Sequence, residues 1–297
     1  MKTPNGPDRF TSGNSRPFAP IDVAGALVDI ALPSPATRLA GIDIAGFRGR
    51  ADSSVVLQVI PYPAVTMFID FAGALRFDDA RGVSKQGSVI AGIAPGRVRA
   101  SGSGRDVDCL QVRMSPVTAH RVLGSAELHG SVATLEDLWG RDGSRIQERL
   151  QAAKTWGERF AITNSALAGQ IDIHRSVDPE VAFIWARMVM GRGQVRVERL
   201  ATDVGWSRKR LWSRFVGQVG ITPSKAAKLI RFDYAAHRLA AGDSPAVVAA
   251  ESGFVDQSHL CRDAVAFSGL TPTAIANAAW LAVDSVAWPA AEHGLQS

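Results

Sequence analysis

The sequence predicts an α+β protein in two parts. A strand-rich N-terminal half would close into a small β-barrel or sandwich with a helical extension, and an all-α region would follow. Three observations carry this. Between Ala36 and Met114, β-branched and alternating apolar runs recur, broken by Gly, Pro and Asp. From Ser115 the apolar spacing becomes helical. Near the C-terminus one pattern occurs twice, about fifty residues apart: a short apolar helix, a glycine, an aromatic residue, a polar cap and a second helix.

Met1–Pro20 is polar and rich in Pro and Gly, lacks the apolar stretch of a signal peptide, and is expected to be a flexible arm. Residues 21–175 are assigned to one domain, β-rich over 36–114 and helical over 115–170. The strands expected are Ser54–Ile60, Val65–Phe71, Ala74–Phe77, Gly87–Ile93 and Val107–Met114. Ser115-Pro116 is a helix start, a capping serine before a proline at the first helical position. Thr134–Trp139, Ser144–Ala153 and Thr155–Gln170 read as successive helices, with Trp156, Phe160, Thr163, Ala166 and Leu167 on one face of the last. Asp178-Pro179-Glu180 opens another, Val181–Met190, so a domain boundary is expected within Ile171–Asp178 and a second domain over 178–281.

In that second domain the first copy of the repeat spans Val197–Val219 and closes on Gly220-Ile221-Thr222-Pro223. A long helix over Pro223–Ala241 follows, with Ala227, Ile230, Tyr234 and Leu239 inward. Gly242-Asp243-Ser244-Pro245 stops it and starts the second copy, Ala246–Ser268, closed by Gly269-Leu270-Thr271-Pro272. A final helix is expected over Thr271–Leu281, and residues 282–297 are expected to form a flexible tail.

Each copy has the grammar of a helix-turn-helix, whose second helix can lie in the major groove of DNA. In the first, Leu200 and Val204 pack on Leu211 and Phe215, Gly205 allows the turn and Ser207 caps the second helix. Its outer face then offers Arg208, Lys209, Arg210, Trp212, Ser213 and Arg214. Arg and Lys can bond guanine O6/N7 or phosphate, and Trp212 can touch a thymine methyl, although a core position for Trp212 is the plainer alternative. In the second copy Val248, Phe254 and Leu260 pack, Gly253 turns and Asp256 caps. Gln257, Ser258, Cys261 and Arg262 then project outward, Gln suiting adenine and Arg guanine. His259 is assigned to packing or a scaffold hydrogen bond, and an exposed Asp263 would repel phosphate.

Charge agrees with a polyanion partner. Residues 181–280 hold 13 Lys+Arg against 7 Asp+Glu, whereas the whole chain carries only +5. The two cysteines, Cys109 and Cys261, are far apart, which argues against a disulfide framework and a cysteine-built zinc site. No histidine falls between Ala36 and Met114, so a metal-dependent active site among the strands is not expected, nor is any cofactor. No apolar run approaches the ~20 residues of a membrane helix, and a cytoplasmic protein without membrane contacts is expected.

The segment from Val181 to Asn277 resembles the DNA-binding domain of the AraC/XylS family of bacterial transcription regulators. The resemblance rests on Gly253-Phe254-Val255-Asp256-Gln257-Ser258-His259-Leu260 with Arg262 and Gly269-x-Thr271-Pro272. Leu211, Phe215 and Gly220-x-Thr222-Pro223 repeat it more weakly. It implies two helix-turn-helix units joined by a long helix, a cupin-like β-barrel in the N-terminal half, and helices there that dimerise. It also implies Lys209, Trp212 and Ser213 as base readers in the first unit, Gln257, Ser258, Cys261 and Arg262 in the second, and Arg208, Arg210 and Arg214 on phosphates. The chain departs from the family pattern at Ser213, where arginine is frequent, at Ala264, where a bulky aromatic is usual, and near Ala226 and Ala274, where tyrosine is common. The partners expected are double-stranded promoter DNA, RNA polymerase, a small-molecule effector and a second copy of the chain. The sequence leaves activation and repression equally open. An alternative from another class is alkyl transfer in DNA repair through a reactive cysteine, with Cys109 and Cys261 the only thiols available.

Overall fold

A computed structural model describes residues 21–23, 26–51, 56–73, 75–78, 82–93, 98–102, 106–124, 132–171, 175–278, 281 and 283–288. The expected arm over residues 1–20 and most of the expected tail lie outside the described residues.

The N-terminal part is built from two antiparallel sheets. One has seven strands in the order β1 (Ile21–Val23), β2 (Ala26–Ala31), β3 (Ile42–Ala51), β10 (Asp106–Met114), β5 (Val65–Asp70), β8 (Val89–Ala91) and β11 (Val132–Thr134). The other has four, in the order β4 (Val56–Val59), β9 (Val98–Gly102), β6 (Leu75–Asp78) and β7 (Ser84–Gln86). β10 is the spine of the larger sheet, pairing with β3 from Met114↔Ile42 to Asp106↔Arg50 and with β5 from Met114↔Val65 to Cys109↔Asp70.

Period-two alternation sorts its side chains between two cores. Leu110, Val112 and Met114 join the core shared with the helices, whereas Cys109 packs with Val28, Ile30, Ala45 and Phe47 on the opposite face. That opposite face looks toward the second sheet, whose Leu75 touches it.

Helices cover the first face: α1 (Pro116–Leu123), α2 (Leu135–Trp139), α3 (Arg141–Ala152) and α4 (Trp156–Gln170). Ser115 caps α1 through its hydroxyl, as its sequence position predicts, and the Thr155 hydroxyl caps α4. Trp156 lies directly over β3 at Gly46, where a Cβ would come within 2.4 Å of the indole. The buried Arg159 of α4 pairs with Asp108 of β10 at 2.6 Å and stacks over Phe71 at 3.7 Å. Trp156 and Phe160 stack on each other, so core packing accounts for both.

Four sequence expectations need correction. Strands begin at Ile21, ahead of Ala36, and β1, β2 and β3 close one side of the large sheet. A strand, β11, interrupts the stretch expected to be helical and pairs with β8. The expected last helix, Thr271–Leu281, is only α11 (Pro272–Ala276). The expected flexible tail contains α12 (Asp284–Ala287), whose Val283, Ala287 and Trp288 are buried against the inner face of the large sheet.

The C-terminal part is all helical: α5 (Pro179–Met190), α6 (Val197–Asp203), α7 (Arg208–Val219), α8 (Pro223–Ala240), α9 (Pro245–Glu251), α10 (Gln257–Ser268), then α11. Its core is the buried face of α8, where Ala226, Leu229, Phe232, Ala235, Ala236 and Leu239 are almost wholly enclosed. Ala227, Ile230 and Leu239 face inward as expected, whereas Tyr234 is only half-buried and lies under Arg192.

Candidate nucleic-acid interface

In the first unit, α6 and α7 are joined through Gly205 at φ +65, a conformation a residue with a Cβ resists. Leu200 and Ala201 of α6 bury against Leu211 and Phe215 of α7. The Ser207 hydroxyl accepts from the Arg210 amide at 3.2 Å and so satisfies a first-turn donor. What remains outward is basic. Arg208, Lys209, Arg210, Ser213 and Arg214 are exposed, and Trp212 is 55% exposed, so it is not a core residue.

These side chains are not equally free. The Arg210 guanidinium lies 4.7 Å above the Trp206 ring, and Arg208 pairs with Glu198 at 2.5 Å. Arg214 grips Asp178 with two hydrogen bonds of 2.5 Å each, while the Gln218 side chain accepts from the Asp178 amide at 2.9 Å. This explains why Asp178, placed as the N-cap of α5, makes no capping hydrogen bond of its own. The Arg214 hydrogen bonds also hold its carboxyl below the ordinary aspartate value. The far end of α7 abuts α1. Between them Pro116, Ala119, His120, Gln218 and Val219 line a cavity of about 20 Å³, room for one water.

In the second unit, α9 and α10 are joined through Gly253 at φ +76. Gln194 crowds this glycine, and a Cβ would meet its side chain at 2.8 Å. Asp256 accepts from the His259 amide at 2.7 Å, and His259 returns a bond by accepting from the Val255 amide at Nδ1, 3.3 Å. Gln257, Ser258 and Arg262 are exposed and Cys261 is half-buried.

Asp263, a potential repulsive charge, is turned inward and pairs with Arg231 of α8 at 2.9 Å. Arg231 also donates to the Gly253 carbonyl at 3.2 Å and stacks over Phe254 at 4.5 Å. It ties both ends of the second unit to the connecting helix. Sequence reasoning missed this residue. Its only signal was an arginine among the inward positions of an otherwise apolar helix face.

The long helix α8 thus carries two capped helices with open outer faces. Cys109 supplies no nucleophile: burial pushes its thiol up to about 12, which removes the thiolate a nucleophile needs. Among the described residues no cluster of His, Cys, Asp and Glu could hold a metal ion, and no helix is long and apolar enough to cross a membrane.

Comparison with known proteins places this geometry. A family model described as a helix-turn-helix domain matches residues 200–278. An uncharacterized HTH-type transcriptional regulator of Bacillus subtilis, YbfI, is 38% identical over 66 residues, 22% of this chain and 24% of that protein. The chain therefore spans about a quarter of the length of the curated relative it matches. Among solved structures, ToxT from Vibrio cholerae O395 aligns over 82% of this chain and 98% of its own, with 12% identity and a TM-score of 0.47. A Bacillus subtilis oxalate decarboxylase aligns over 36% of this chain and 31% of its own, with 13% identity and a TM-score of 0.24.

Proposed function

We propose that the chain is a sequence-specific DNA-binding transcription regulator of the AraC type rather than an enzyme, a reading supported by the match of residues 200–278 to a helix-turn-helix domain model. The observation that carries the reading is the pairing of two capped helices, α7 and α10, on one rigid connecting helix, each with its polar face left open. Lys209, Trp212 and Ser213 would read bases from α7, and Gln257, Ser258, Cys261 and Arg262 from α10. Arg208, Arg210 and Arg214 would hold phosphates. Of these, Arg214 must first leave Asp178. The β-sheet domain would bind a small effector or a second copy of the chain, shifting the population of DNA-binding states. Cytoplasmic location and contact with RNA polymerase accompany the same reading. Alkyl transfer through Cys109 is not favoured, because the buried thiol cannot supply a thiolate.

The test is retardation of a duplex from the region upstream of the chain's own gene. Specific retardation that survives competitor DNA and weakens steeply with salt is expected. Binding that competitor abolishes, with and without cell extract as a source of effector, would refute sequence-specific reading.

A further inference from the structure

We propose that the C-terminal segment 283–288 is an intramolecular clasp that plugs the inner face of the large sheet and keeps α8 docked on the β domain. This reading does not depend on DNA being the ligand.

Three stretches far apart in sequence meet at one carboxylate. Asp284 of α12 accepts from Arg113 of β10 at 2.9 Å. Its other oxygen lies 3.0 Å from His237 Nε2 of α8. The opposite ring nitrogen, His237 Nδ1, stands 2.8 Å from the Asp233 carbonyl. With an acceptor at each nitrogen, the imidazole must donate from both and is satisfied only as the cation.

Aromatic rings seal the junction. The Arg113 guanidinium sits 3.6 Å over Tyr62 and 4.3 Å over Trp288, and Trp288 is buried beside Phe47. Below it, Val283 and Ala287 cover Val28 and Ile30 on the sheet face that looks toward the second sheet. α12 is only four residues long, so packing and the Asp284 carboxylate, not helix propensity, hold it in place.

The cluster is built to be two-state. Arg113 and the Asp284 side chain are 13% and 7% exposed, and a buried ion pair is costly to break on one side only, because the remaining charge is stranded. The groups facing His237 are Asp233 on its own helix, Asp284 from α12, and Tyr62 and Arg113 from the β domain. Burial works against charging the imidazole, but Asp233 and Asp284 outweigh it and push its pKa up to about 9. The folded value lies above the ordinary 6.5, so this contribution is whole below that value and is lost as pH rises through about 9. The clasp therefore opens either when the tail is pulled out or when His237 loses its proton, and opening releases α8 from its tie to Arg113 of the β domain while α7 keeps its seat on α1.

The experiment uses the full chain, Asp284→Asn, and a variant ending at residue 282. A compact chain of this length has a radius of gyration of about 19 Å. Both variants should keep the helical circular dichroism of the parent. Both should show a larger radius by small-angle scattering and a second unfolding transition at lower temperature. In Asp284→Asn the His237 ring should titrate nearer its ordinary value. The parent itself should expand as pH rises through about 9, an arm that holds even if either variant fails to fold. An unchanged radius in the parent across that pH range would overturn the proposal. So would a wild-type radius and single transition in either folded variant.

Discussion

The two helix-turn-helix units share a plan but are held in place by different means. The second is fixed from within its own domain: Arg231 of α8 binds Asp263 of α10, the Gly253 carbonyl and the Phe254 ring, and Arg238 at the other end of α8 reaches Asp243 and Glu251. The first is fixed from outside. Its α7 is bound through Arg214 and Gln218 to Asp178, the residue at which the chain enters the C-terminal domain, and its last turn rests on α1 of the β domain. One unit is therefore a rigid part of the connecting helix. The other is positioned by the region that links it to the β domain, so its pose is coupled to that domain.

The largest effect expected from this difference comes from Arg231→Met. It removes the closer partner of the nearly buried Asp263 carboxylate, leaving it His259 at 3.5 Å, and frees the turn carbonyl, a loss of at most roughly 3–5 kcal/mol for breaking one side of a buried pair. Chemical denaturation should show that loss, and exchange protection should fall in α9 and α10 before α6 and α7. Loss confined to α7 would contradict the division.

Next comes the division of labour in reading. Arg262→Ala should cost about 1–3 kcal/mol of binding and relax preference at one base position. Arg210→Ala on the basic first helix should instead weaken all sequences alike and lower the salt slope by about 1. Selection from a random duplex pool and salt titration separate the two, and a sequence-neutral effect of Arg262→Ala would assign that residue to the backbone instead.

Local rules made the helical half legible. Helix starts at Ser115, Thr155, Ser207, Thr222, Ser244 and Thr271 follow from a hydroxyl that accepts a bond from an amide three residues on. The outward residues of α7 and α10 follow from the helical period alone. What escaped was decided over long distances. β3 looks unlike a strand because it carries Gly46 and Gly49, yet Gly46 is needed where Trp156 closes on it from 110 residues away. The tail hid its fold because α12 exists only against the sheet. Trp288 in an otherwise unremarkable C-terminus was the one clue. The pairs Arg231–Asp263 and Arg214–Asp178 join positions 32 and 36 apart, beyond the reach of any local pattern.

The smallest expected effect on stability is also the sharpest test of the outer anchor. Asp178 is ionised at neutral pH, since Arg214 holds its carboxyl below the ordinary range, but Arg214 is 52% exposed. Such an exposed pair contributes little to stability, so Asp178→Asn should barely move the melting temperature. Gln218 still accepts from the backbone amide at position 178, and α7 keeps its apolar seat on α6. What changes is charge: Arg214 loses its internal counterion and becomes available to phosphate. Binding of DNA by Asp178→Asn should therefore have a salt slope steeper by about 1, and Asp178→Asn combined with Arg214→Ala should return the slope to the parent value or below it. An unchanged slope in the single variant would mean that Arg214 serves only the link to the β domain. A loss of several kcal/mol in stability would mean that the anchor is part of the core and not a surface tether.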